Sequence, residues 1–173
     1  MATSRPAQQD PVDIIVSQWE HEIPDLDVSA LAVFGRLHRG YVRYAAALGE
    51  VFGRYGINMA SFDVLAALRR SGPPYRRTAG DLAGIGLITT GGLTLRLDRL
   101  EQAGLITRER DTADRRVVYA QLTEAGLELT GQVAREHFAN ELRMLAGLSK
   151  SERTQLADLL AKLERSLIDA ERP

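Results

Sequence analysis

Residues 78–122 read helix, turn, helix, strand, turn, strand, and few folds accept that order. Thr78 and Asp81 stand at capping-box spacing ahead of a short run through Leu82, Ala83 and Ile85. Gly86-Leu87-Ile88 supplies a turn. A second helix starts at Thr89 or Thr90, aligns Leu93, Leu97 and Leu100 on one face, and stops at Gly104. Two β-prone runs, 105–110 and 117–122, then flank a polar turn at 111–116. Two short helices joined by a glycine-containing turn and followed at once by a hairpin predict a winged helix-turn-helix over residues 58–122.

The flanking sequence is helical. Residues 1–10 are polar and expected to be disordered. Val12, Ile15, Val16 and Trp19 then mark an additional N-terminal helix within 11–24, ended by Pro24. Asp27 or Ser29 can cap a long helix in 25–57. Its Leu31, Phe34, Leu37, Tyr41, Ala45, Leu48, Phe52 and Tyr55 form a heptad-like stripe, and Gly56 stops it. Asn58 caps a run holding Phe62, Val64, Leu65 and Leu68, closed by Gly72-Pro73-Pro74. Thr123 opens a helix through Leu127, Leu129, Val133 and Phe138. Ser149 and Glu152 form a second capping box before Leu156, Leu159, Leu160, Leu163 and Leu167, so 123–170 is helical as well. The predicted class is mainly α with a small β-hairpin wing.

Composition excludes several functions. With 45% hydrophobic and 26% charged residues, the 173-residue chain is globular material. It has no cysteine, which removes disulfides, thiolate zinc sites, a thiol nucleophile and a thiol redox switch. His21, His38 and His137 are scattered without metal spacing, which gives them surface or packing roles and leaves no metal site. No G-x-S-x-G elbow and no P-loop occur, and no residues remain for a catalytic domain, so no catalytic residue is assigned and the chain is not read as an enzyme. The start lacks the apolar core of a signal peptide, and no run reaches the ~20 apolar residues that span a bilayer. A cytoplasmic protein without a membrane partner is expected.

The net charge of −1 argues weakly against a chain that coats nucleic acid over its whole surface. Residues 75–119 nevertheless carry eight arginines against six acids, a local positive excess. The second helix of the pair begins Thr89-Thr90-Gly91-Gly92-Leu93-Thr94, small and polar, so its backbone and hydroxyls can approach double-stranded DNA. Thr89, Thr90, Gly91, Thr94 and Arg99 are the expected contacts there, with Thr90 and Thr94 also suited to plain helix capping. Arg115 and Arg116 tip the hairpin and suit the minor groove. Asp114 can brace either arginine through a bidentate pair.

The stretches Phe-Asp-Val-Leu-Ala-Ala-Leu-Arg-Arg at 62–70, Thr-Leu-Arg-Leu-Asp-Arg-Leu-Glu-Gln-Ala-Gly-Leu-Ile-Thr-Arg at 94–108, Asp-Thr-Ala-Asp-Arg-Arg at 111–116 and Leu-Thr-Glu-Ala-Gly at 122–126 carry a family resemblance. Residues 28–167 resemble the multiple-antibiotic-resistance regulator (MarR) family of winged-helix repressors. The resemblance implies a homodimer whose interface is built from the first long helix and the last two, hence a helical dimerisation region at 25–57 and 123–170. It also implies a pseudopalindromic operator.

Gln18-Trp19-Glu20 and Pro24-Asp25-Leu26-Asp27 resemble the urate-responsive branch, of the HucR and PecS kind. That resemblance implies a ligand site at Trp19, Asp63, Arg96 and Arg108, with urate or a similar small anion as effector and no other cofactor. The residue types suit a flat anion: arginine pairs in-plane or stacks, and tryptophan gives an apolar wall with one donor. Asp63 is expected to hold Arg108 until the ligand competes for it.

Blander roles stand beside these: Trp19 as a packing anchor, Asp63 with Arg108 as a structural ion pair, and Arg96 as a phosphate contact. A different anionic or phenolic ligand, or a winged helix used for protein–protein contact, is the alternative function.

Overall fold

The computed structural model describes residues 10–84 and 92–171. Two compact units divide the chain, Met1–Glu50 and Val51–Pro173.

In the first unit, Asp10 caps helix α1 (Pro11–Glu22), accepting from the Val12 amide at 2.9 Å, and Pro11 fills the first turn, where no amide partner is needed. Ile23 closes the helix on the Trp19 carbonyl, just before Pro24. Val12 is buried against Gly35 of helix α2 (Leu31–Gly53), where a Cβ would come within 3.0 Å of the Val12 side chain. Arg36 reinforces this seat by bonding Asp10 at 3.1 Å and Asp13 at 2.7 Å. Asp27 does not cap the long helix. Its carboxylate accepts from the Ser29 amide in a local turn, and the helix begins at Leu31.

In the second unit, Asn58 caps helix α3 (Met59–Arg70) through the Ser61 amide, as its position predicts. Strand β1 (Arg76–Thr78) follows, then helix α4 (Ala79–Gly84), whose start is the Thr78–Asp81 box. Helix α5 (Leu93–Gln102) opens after Gly92, which sits at φ 83°, a backbone region that glycine enters freely. The expected start at Thr89 or Thr90, the turn at 86–88, Ile85 and most of the polar stretch 1–10 lie outside the described residues.

Strands β2 (Ile106–Arg110) and β3 (Val118–Leu122) form the expected hairpin. Strand β1, which the local sequence pattern does not predict, adds to β3 and makes a three-stranded antiparallel sheet of order β1-β3-β2. Helices α6 (Glu124–Met144) and α7 (Lys150–Ala170) carry the predicted Thr123 cap and Ser149–Glu152 capping box.

One core joins these elements: Val64, Leu65 and Leu68 of α3, Leu82 of α4, Leu93, Leu97 and Leu100 of α5, Ile106 of β2, and Ala120 and Leu122 of β3. Its center therefore lies where helix-turn-helix and hairpin meet. Helix α7, by contrast, has no buried residue. No described helix is long and apolar enough to cross a membrane.

Candidate functional site

Helix α5 turns Leu93, Leu97 and Leu100 inward, which leaves Thr94 and Arg99 on the other side of the helix. Thr89, Thr90 and Gly91 lie outside the described residues. In the hairpin, Asp111 organises the turn by accepting from the amides of Ala113 and Asp114 at 2.8 and 2.9 Å, which holds its carboxyl below the ordinary range. Asp114 then grips Arg116, not Arg115, through Nε at 3.0 Å and Nη2 at 2.9 Å. The pairing is local and planar, and the Arg116 side chain is still 91% exposed. Arg115 is exposed too. At the root of the wing Arg76 stacks 3.9 Å above the Tyr119 ring and pairs with Glu109 at 3.2 Å, tying β1 to the hairpin.

The residues expected to hold a ligand are divided between the units. Trp19 lies on α1 in the first unit, 45% exposed. The other three belong to the second. Asp63 of α3 is half-buried, and burial pushes its carboxyl above the ordinary value. The positive charge of Arg96 on α5 pulls it back, followed by Arg70 and His137. Asp63 thus lies within reach of the Arg96 charge.

Arg108 is bound elsewhere, which corrects the expected Asp63–Arg108 pair. Its guanidinium meets Glu101 at 2.6 and 2.8 Å and Asp98 at 2.7 Å, and its amide bonds the Glu101 carboxylate as well. The cause is the tight return at Gly104, which lays β2 back along the end of α5 and presents one face of that helix to Arg108. Arg108 in turn holds the Glu101 carboxyl below its usual range.

The sequence gives His137 a surface or packing role, and the structure buries it. Its ring lies 5.4 Å from that of Phe52, 5.2 Å from Phe62 and 4.9 Å from Phe138. Phe62 and Phe138 each fall in predicted helical runs, but their convergence on one imidazole is a long-range fact that no local spacing announces. Among the described residues, no cluster of His, Cys, Asp and Glu could hold a metal ion.

Comparison with known proteins decides the family. A model of the MarR family matches residues 55–117. The HTH-type transcriptional regulator PecS of Dickeya dadantii (strain 3937) is 42% identical, over 91% of this chain and 95% of PecS. The chain belongs to the MarR family. Solved structures agree with its fold. A structure on the regulation of DNA binding of Bordetella bronchiseptica BpsR by 6-hydroxynicotinic acid matches with TM-score 0.68 and 27% identity, over 76% of this chain and 92% of that one. Mutant MarR from E. coli, complexed with operator DNA, matches with TM-score 0.67 and 26% identity, over 84% and 96%. As a MarR-family member, the chain is a DNA-binding transcriptional regulator of winged-helix fold and not an enzyme.

Proposed function

We propose that this chain is a homodimeric repressor, released from a pseudopalindromic operator when urate or a similar planar anion binds at Trp19, Asp63, Arg96 and Arg108. The observation that carries the reading is the double tie to α5. Arg96 stands on that helix beside the half-buried Asp63, and Arg108 is bound to the same helix through Asp98 and Glu101. An anion that takes either arginine competes with a carboxylate for it and so acts on the helix that faces DNA. A coupling of ~1–3 kcal/mol loosens operator binding ~5–150-fold.

On this reading Thr89, Thr90, Gly91, Thr94 and Arg99 meet the major groove, Arg115 and Arg116 meet the minor groove, residues 58–122 bind DNA, and the helices of 25–57 and 123–170 join two cytoplasmic copies. Footprinting on DNA upstream of the chain's own gene, with and without urate, tests it. Protection lost on adding urate is expected, and no protection at any salt concentration overturns the reading.

A second ligand class has a specific reason behind it. DNA binding by the structural relative BpsR is regulated by 6-hydroxynicotinic acid, a different flat anion. Thermal shift with a panel of such anions discriminates: urate stabilising no better than chloride rejects urate and leaves the other anions in play.

A further inference from the structure

Two buried polar atoms on α6 have no hydrogen-bond partner: Nδ1 of His137 and Nδ2 of Asn140. Buried polar groups are rarely left unpaired, so each such atom calls for a reason. The His137 side chain is only 10% exposed, and its Nε2 faces the Glu141 carboxylate at 3.5 Å. A proton on Nε2 directed at that carboxylate leaves Nδ1 as a bare acceptor. Asn140 is fixed as well. Its Oδ1 accepts from Arg143 Nη2 at 2.9 Å, and because arginine only donates, Nδ2 must be the atom left over, a donor. Residues three apart share a helix face, so α6 offers one acceptor and one donor side by side.

The neighbours of His137 are themselves flat rings. Phe52 and Phe62 stack at 5.1 Å, and both contact the His137 imidazole. The site adjoins Asp63, which follows Phe62 on α3 and whose carboxyl feels the positive charge of Arg96. The geometry points to His137 and Asn140 as a specificity-determining pair that reads the lactam edge, an N–H beside a C=O, of the planar anion held by Arg96. The arginine recognises charge, which any anion has, and the α6 pair recognises the edge, which oxopurines have and simple carboxylates lack. This inference rests on the ligand reading of the preceding subsection.

Calorimetric titration of the full chain with urate and with benzoate, a flat anion without a lactam edge, tests it. Four proteins are compared: wild type, Arg96→Ala, His137→Phe and Asn140→Leu. Arg96→Ala is expected to weaken whatever anion binds. His137→Phe keeps the aromatic box and Asn140→Leu keeps the volume. Each is expected to weaken urate at least about fivefold without weakening benzoate. Should His137→Phe fail to fold, Asn140→Leu decides alone. Urate binding reduced less than that, or benzoate reduced in parallel, overturns the pair while the ligand reading stands. A wild-type chain that binds neither anion overturns the pair and urate as the ligand together.

Discussion

Gly126 shows how tightly a single position can be fixed. A Cβ there would come within 1.9 Å of the Leu105 carbonyl oxygen, which is backbone and cannot swing away. The same carbonyl accepts from the Thr123 amide, while the Thr123 hydroxyl donates to the Gly104 carbonyl and accepts from the Gly126 amide. The start of α6 is thus clamped onto the junction of α5 and β2. Gly126→Ala is expected to destabilise the fold by about 2–3 kcal/mol, read by urea denaturation at fixed protein concentration. Asp63 carries the opposite kind of constraint. Its folded-state value is raised above 3.8 chiefly by burial, so the folded chain keeps this proton after the unfolded chain has released it. Its contribution to stability is full below the unfolded value and is lost as pH rises through the folded one. At neutral pH the carboxylate is therefore a burden on the fold. Asp63→Asn is expected to raise the Tm at pH 7, to give a smaller gain at pH 4, and to weaken the response to ligand. Equal shifts at both pH values would argue against a raised Asp63.

At the level of elements, α5 and β2 are joined by Arg108. Glu101 gains stability from that contact above its ordinary value of 4.5, and the gain disappears as pH falls through the depressed folded value. Glu101→Gln should therefore melt below wild type at pH 7 and approach it in acid, as thermal scans across that range would record. The wing makes a different demand. Arg116 is exposed but held flat by Asp114, an arrangement suited to a narrow groove. Arg116→Ala should weaken operator binding and lower the slope of log affinity against log salt by about 1 if a phosphate contact is lost, measured by fluorescence anisotropy.

Local chemistry makes much of this legible in the sequence. The caps at Asn58, Thr123 and Ser149, the hairpin and the Asp114 brace all follow from residues within a few positions of each other. Strand β1 is not legible, because Arg-Arg-Thr has no apolar alternation and its partners, such as Gln121 for Arg76, lie far along the chain. The partner of Arg108 is hidden for a related reason. Family resemblance points to Asp63, whereas the return at Gly104 brings Asp98 and Glu101 nearer. The enclosure of His137 is hidden too, because it depends on three elements at once.

At the level of the whole molecule, apolar side chains are left exposed on two long helices. On α2 the exposed residues include Phe34, Leu37 and Tyr41, three members of the heptad-like stripe. On α7 a 21-residue helix has no buried position, and Leu156, Leu159, Leu160, Leu167 and Ile168 stand exposed, Leu159 by 57%. Exposed apolar patches of this kind mark association surfaces, and a two-fold dimer would cover the same faces on both copies. Dimerisation would also place two winged helices on one operator, so that the second binds at the high effective concentration set by the first. A charge placed on the apolar face of α7 should therefore undo assembly and DNA binding together. Leu159→Glu is expected to shift sedimentation from dimer to monomer at micromolar concentration, with the winged helix still folded by circular dichroism. Operator affinity should then fall roughly 100-fold or more, the scale on which avidity is lost. An unchanged sedimentation coefficient would remove α7 from the interface and leave α2 as the face to mutate next.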